Sequence, residues 1–229
     1  CYDGIDRDCD GGEDDDCDRD GFIALSAGGE DCADDNPEMY PGAFETRNGD
    51  DDDCDGVADE GLIEAGDVVF SEFMTNPKNT PDSRGEWFEV RNTTSTAIDL
   101  RGWTIHKDEQ QFVVMSTVRI PPFAQRVLAN SDNPGRNGGF TADYAFDGST
   151  FQLSNTTSHT YSLEFDEKVI TAIVLASSRN VEGISVGLDP RMRTVADALD
   201  WTRWCLSLSV LPSGDIGSPG VANRLCPGL

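Results

Sequence analysis

Three aspartate ladders carry the clearest chemistry in the chain. Asp6, Asp8 and Asp10 run into Gly11 and Asp14; Asp16, Asp18 and Asp20 run into Gly21 and Phe22; Asp51, Asp53 and Asp55 run into Gly56 and Asp59. Alternate carboxylates followed by a glycine let a chain curl around one hard cation. The glycine takes the sharp turn, and the next carbonyl, that of Phe22 in the middle ladder, adds a backbone oxygen. Ala27, not an acid, stands where the middle curl would close, so its remaining carboxylates are expected from Asp31, Asp34 and Asp35. Zinc and copper favour imidazole or sulfur and this region has no histidine, so the expected cofactor is calcium, with two or more ions bound.

Charge sharpens that expectation. Residues 1–66 hold 24 of the 43 acidic residues and only three of the 17 basic ones (Arg7, Arg19 and Arg47), which places −21 of the net −26 in this segment. Such a block repels itself and repels phosphate backbones, so it stays unfolded or is neutralised by cations, and nucleic acid is excluded as a partner. Five of the seven cysteines lie in it without a single C-x-x-C pair, which favours disulfides in an oxidising compartment over thiolate metal sites. No stretch approaches the roughly 20 apolar residues of a membrane span. The two histidines, His106 and His159, fall in no nucleophile, zinc or phosphoesterase motif, so the chain is read as not an enzyme, with a metal-dependent hydrolase the least favoured role.

The elements that must position these groups differ along the chain. Residues 1–60 read as loops with too little apolar surface to fold by burial, so this arm is expected to order only with calcium bound. Residues 61–66 form a linker. From residue 67 to 229, short β-branched and aromatic runs alternate with Gly, Pro, Asn and Asp clusters: Val68–Met74, Glu86–Arg91, Ala97–Ile105, Phe112–Met115, Arg126–Ala129, Tyr161–Phe165 and Val169–Leu175. That pattern predicts a mainly β fold, an immunoglobulin-like antiparallel sandwich carrying an N-terminal loop-rich calcium-binding arm. Phe70, Trp87, Leu100 and Trp103 are expected on inward faces, Arg101-Gly102 in a turn, and Val195–Trp204 in a short helix or turn. Asn92 and Asn155 open N-x-Thr acceptor sequences for glycosylation, although turn residues have the same composition. Cys205 and Cys226 share the C-terminal tail and are expected to pair.

Two resemblances add to this reading. The middle ladder, D-x-D-x-D-G-F-I, resembles the first eight positions of an EF-hand loop. The blocks Tyr2–Asp15 and Arg47–Glu60, with D-C-A-D-D-N-P-E-M-Y-P-G-A between them, resemble the MopE-type metal-binding repeats of bacterial surface proteins. With sequence proximity, that resemblance implies pairs Cys1–Cys9 and Cys17–Cys32 and leaves Cys54 over. G-D-V-V-F-S-E-F-M-T-N-P, G-E-W-F-E-V-R-N and A-I-D-L-R-G-W-T-I, with the stretch Trp204–Asn223, resemble the lamin-tail domain, itself an immunoglobulin-like sandwich. Together they imply an extracellular calcium-binding structural protein of the bacterial cell surface, a fibre subunit that meets other copies of itself or other surface proteins. The alternative is a calcium-dependent adhesin for glycan or protein.

Overall fold

The computed structural model describes residues 15–46, 48–58, 61–192 and 194–228. They fall into two compact units that divide between Leu62 and Ile63. In the first unit only Ala24 and Ala43 are buried apolar residues among those described. Its regular structure is one 3-10 turn, Leu25–Ala27, beside the bridge Ala24↔Asp31. Of the expected linker, Ile63 to Gly66 are part of the second unit. Ile63 packs on its core, Glu64 pairs with Lys168, and the Gly66 amide donates to Ile170 at 2.7 Å.

The second unit is built from strands β1 (Val68–Met74), β2 (Trp87–Asn92), β3 (Ile98–Asp99), β4 (Thr104–Lys107), β5 (Gln110–Val113), β6 (Arg119–Ile120), β7 (Gln125–Ala129), β8 (Tyr144–Ala145), β9 (His159–Phe165), β10 (Lys168–Leu175), β11 (Val186–Leu188) and β12 (Trp204–Leu206). A six-stranded sheet runs β12-β11-β1-β2-β7-β8, a four-stranded one β10-β9-β4-β5, and β3 pairs β6. The sandwich is therefore mainly β but not purely antiparallel, because β8 lies parallel to β7 in the register Leu128↔Tyr144. Fourteen residues separate the two strands, the length a parallel return requires. They include the single-turn helix Pro134–Asn137, and Asp143 clamps the return by accepting from the Val127 amide at 2.9 Å.

Phe70, Phe73, Phe88, Trp103, Tyr161 and Leu163 fill the main core. Every residue of β1 and β2 is buried, so neither strand shows alternation along its sequence. Their outer faces are covered as well. Met74 and Trp87 are cross-strand partners, and both belong to a second cluster with Val127, Ala129 and Phe140. Trp87 is thus buried on the opposite face from Phe88, not in the main core with Phe70, Leu100 and Trp103, since side chains alternate along a strand. The stretch Ala97–Ile105 is broken between β3 and β4 by a turn in which Gly102 adopts φ 87°. Val195–Leu199 is a short helix whose capping box joins Thr194 and Asp197, followed by the 3-10 turn Trp201–Arg203.

Asn92 is fully buried, and its amide donates to the carbonyls of Thr96, Ile120 and Pro121. That burial leaves the side chain no exposed amide for a glycan in the folded chain. The short polar side chain that fits the acceptor pattern here fastens a turn. Asn155 is half-buried, and its amide donates to Asp82 at 3.0 Å.

Glu86, just ahead of β2, accepts from the Leu153 amide at 2.9 Å and pins the loop before β9. Burial pushes its carboxyl up to about 8, with Asp82 adding to the rise and the Leu153 amide and Lys107 opposing it. A carboxyl raised in the folded state contributes stability that is fully present below the ordinary glutamate range and lost as the pH climbs through the folded value. Thermal melts are therefore expected to show a sandwich more stable at pH 5 than at pH 9. Glu86→Gln should remove on the order of a few kcal/mol of that difference, and an unchanged pH slope in the variant would contradict the assignment.

Candidate metal centre in the acidic segment

The described part of the acidic segment contains two loops of the same construction. In the first, Asp16 accepts from the amides of Arg19 at 2.7 Å and Gly21 at 3.0 Å, Asp18 accepts from Asp20, and Asp20 accepts from Phe22. In the second, Asp51 accepts from Asp55 and Gly56, Asp53 from Asp55, and Asp55 from Val57. The backbone repeats too. Arg19 and Cys54 occupy φ 67° and 61°, and Gly21 and Gly56 φ 99° and 96°. The D-x-D-x-D-G spacing therefore encodes a loop in which the first carboxylate, Asp16 or Asp51, accepts on both oxygens and the next two accept on one, as Asx turns do.

The turns also draw their carboxylates together. Ligand atoms of Asp16, Asp18 and Asp20 lie within 4.8 Å of one another, as do those of Glu45, Asp51 and Asp53. One buried oxygen on each of Asp18, Asp20 and Asp31 has no hydrogen-bond partner. Burial is the largest influence pushing the Asp18 carboxyl above its ordinary range, and Asp20, Asp31 and Asp16 add to it by repulsion. Asp31 is almost completely buried, its amide donating to Ile23 and its carbonyl accepting from Leu25. Asp34 accepts from the Cys17 amide at 2.9 Å. Asp31 and Asp34 thus reach the first loop, whereas Asp35 is exposed and outside every cluster. The Phe22 ring stacks on Tyr40, with centroids 5.2 Å apart.

Two acids lay outside the sequence pattern. Glu45 joins the second cluster by accepting from the Asp53 amide at 2.9 Å, although no ladder register leads to it. Asp52 lies between two ladder positions and is buried. The Thr46 hydroxyl and amide, with Asn48, hold its carboxyl below the ordinary range. Asp6, Asp8, Asp10, Asp14 and Asp59, with Cys1 and Cys9, lie outside the described residues.

The disulfides correct one pairing. Cys32 joins Cys54, not Cys17, and Cys17 is itself disulfide-bonded, so Cys54 is not left over. Proximity in sequence misleads because the second loop folds back, Asp52 and Asp53 accepting from the amides of Tyr40 and Gly42. Cys205 joins Cys226.

A third cluster, Asp31 with Cys32 and Cys54, offers no thiolate, because both sulfurs are in the disulfide. The described donors are therefore oxygens. That set can accept a divalent copper ion, which among first-row divalent ions binds a given oxygen or nitrogen site most tightly, but not monovalent copper, which needs sulfur.

Among known families, residues 63–200 match the lamin tail domain. Residues 1–15 and 31–60 match a metal-binding motif of the copper-binding MopE type. No curated protein matches the chain. Neither matched module is catalytic, and no helix among the described residues is long and apolar enough to cross a membrane. The MopE match corrects the calcium assignment. The motif is a copper-binding one, so calcium does not stand as cofactor, as partner or as the ion of the arm, and neither the calcium-binding surface protein nor the calcium-dependent adhesin follows. The physical reason is that carboxylate spacing specifies oxygen donors without specifying which divalent ion fills them.

Peptide mapping without reduction is expected to recover Cys32 with Cys54 and Cys205 with Cys226. A peptide joining Cys17 to Cys32 would contradict the second loop's fold.

Proposed function

We propose, from the premise that this chain belongs to the lamin tail domain family, that it is an extracellular, non-catalytic module whose acidic segment binds divalent copper and whose sandwich is a scaffold. The observation that carries this reading is the repeated loop. Two stretches of the same spacing and turn geometry each bring ligand oxygens of three acids within 4.8 Å of one another. Glu45, Asp51 and Asp53 would hold one ion within the matched motif, and Asp16, Asp18 and Asp20, backed by Asp31 and Asp34, a second.

A bound divalent ion supplies positive charge to carboxylates that otherwise repel one another. The chain's own groups do the positioning. The Arg19 and Gly21 amides fix the Asp16 carboxylate, those of Asp55 and Gly56 fix Asp51, and Asp34 holds the loop at Cys17. Metal and disulfides substitute for the missing apolar core, since ordering each residue costs about 1–2 kcal/mol that burial does not return here. Disulfide-bonded cysteines persist in oxidising surroundings, which supports an extracellular site of action.

Titration of the full chain with Cu(II), read by calorimetry and by metal retained after dialysis, is expected to show binding. Asp53→Asn and Asp18→Asn should each weaken one site about tenfold or more, the scale of losing one charged ligand from a small set. Asp35→Asn should leave both sites unchanged. Equal uptake by all three variants would sink the assignment, as would an absence of retained copper.

A further inference from the structure

The stretch Gly217–Asn223 lies as a strap across the outer face of the six-stranded sheet, and what it sits on is a pair of carboxylates. Glu72 on β1 and Glu89 on β2 are direct cross-strand partners, and both are completely buried. The Ser218 amide donates to Glu72 at 2.9 Å, the Gly220 amide donates to Glu89 at 2.9 Å, and the Ser185 and Ser71 hydroxyls add one bond to each carboxyl. The far end is tied by Asn223, whose amide donates to the carbonyls of Ser71 at 2.7 Å and Leu188 at 3.1 Å. The fit is close. A Cβ on Gly217 would stand 2.8 Å from the Trp87 ring, and one on Gly187 would stand 2.8 Å from the Asn223 side chain.

The Ser218 hydroxyl lies 2.8 Å from Glu72 Oε2 and 2.8 Å from Asn223 Oδ1, yet it has one proton to give. When Glu72 carries a proton, its O–H donates to Ser218 Oγ and the Ser218 hydroxyl donates onward to Asn223. When Glu72 is ionised, the Ser218 hydroxyl donates to it and Asn223 Oδ1 is left without that donor. We propose that Gly217–Asn223 is a tethered flap, shut while the Glu72–Glu89 pair holds a proton and released when the pair is fully ionised. The Cys205–Cys226 disulfide brackets the segment, so release lifts the strap without detaching it and uncovers the outer face of β1 and β2.

The surroundings agree. Burial raises both carboxyls above the ordinary range, and for Glu89 the neighbouring Glu72 raises it further. Arg91, two residues along β2, is the charged group that opposes the rise at Glu89, and its guanidinium is already occupied with the carbonyls of Pro190 and Met192. Gly187 faces Glu72 from β11 and Val127 faces Glu89 from β7, and residues 217–223 contain no ionisable side chain. Among the described residues, Arg91 is the charged group that bears on the pair, and it acts on Glu89. Opening lets both carboxylates hydrate, so it releases a proton and is favoured as the pH rises.

Amide hydrogen exchange on the full chain tests this, with protection expressed relative to the intrinsic rate at each pH. Between pH 6 and pH 9 the protection of the Ser218 and Gly220 amides is expected to fall about tenfold or more and to stay below that of the β1 and β2 amides, whose own loss is limited to the global one that Glu86 contributes. In Glu72→Gln and Glu89→Gln the fall should shrink to less than about twofold, because each substitution removes the second charge. Should a glutamine variant fail to fold, Ser218→Ala keeps both carboxyls and breaks the relay, and its strap protection at pH 6 should drop towards the wild-type value at pH 9. Equal wild-type protection at the two pH values overturns the proposal. So does strap protection equal to that of β1 and β2 at pH 9, a full fall retained in the glutamine variants, or unchanged protection at pH 6 in Ser218→Ala.

Discussion

With 43 acidic residues against 17 basic ones, most carboxylates of this chain have no cationic side chain to meet, and the backbone amide takes that place throughout. Asp16 and Asp51 are held by amides of their own loops. In the sandwich, Asp215 accepts from the amides of Lys78 and Asn79, Asp189 from Cys226, Glu86 from Leu153, Glu72 from Ser218 and Glu89 from Gly220. A carboxylate with an N–H donor is held by a charge-assisted bond about twice as strong as a neutral one. The second oxygen is where the two units differ. In the acidic segment it stays unsatisfied on Asp18, Asp20 and Asp31, whereas the sandwich glutamates are covered by hydroxyls and by apolar surface and are pushed towards protonation.

That difference explains which parts of the fold were legible in the sequence. β1, β9 and β10 declare themselves because a run of seven or eight residues with β-branched and aromatic side chains has few other ways to be buried. β11 and β12 are three residues each, and only the pairing of β11 with β1 and of β12 with β11 makes them strands. Trp87 was legible as buried, but not as belonging to the second cluster, because a strand covered on both faces loses the alternation that would say which face is which. The covering comes from Phe140 and from the strap more than a hundred residues away, and no local pattern reports that. The parallel β8 was hidden for a similar reason, since two paired residues carry no direction in their sequence.

In the acidic segment, the spacing of Asp16, Asp18 and Asp20 foretold a turn closed at Gly21, and the structure has that turn. The identity of the ion was not there to be read, since oxygen donors at a given spacing are common to several divalent ions and softness distinguishes them only when nitrogen or sulfur is present. Glu45 was missed because it reaches Asp53 across a fold of the chain rather than along it.

The cysteines show the same limit from another side. Cys54 occupies the position at which Arg19 stands in the other loop, each in the left-handed region two residues ahead of a glycine in that region. Six residues of equivalent backbone thus expose one interchangeable site, filled by a cation in one copy and by a cross-link in the other. Arg19 is exposed, whereas Cys54 ties its loop to Cys32, next in sequence to the buried Asp31 whose free carboxyl oxygen completes the surroundings of Asp18. The disulfide therefore anchors the second loop beside the residue that serves the first, which makes the two loops parts of one folded unit although their ligand clusters are separate. Breaking that link would leave each Asx-stabilised turn intact, and with them the bonds of Asp31 to Ile23 and Leu25, but would untie the second loop from that residue, a consequence that follows from the connectivity and not from any property of the carboxylates themselves.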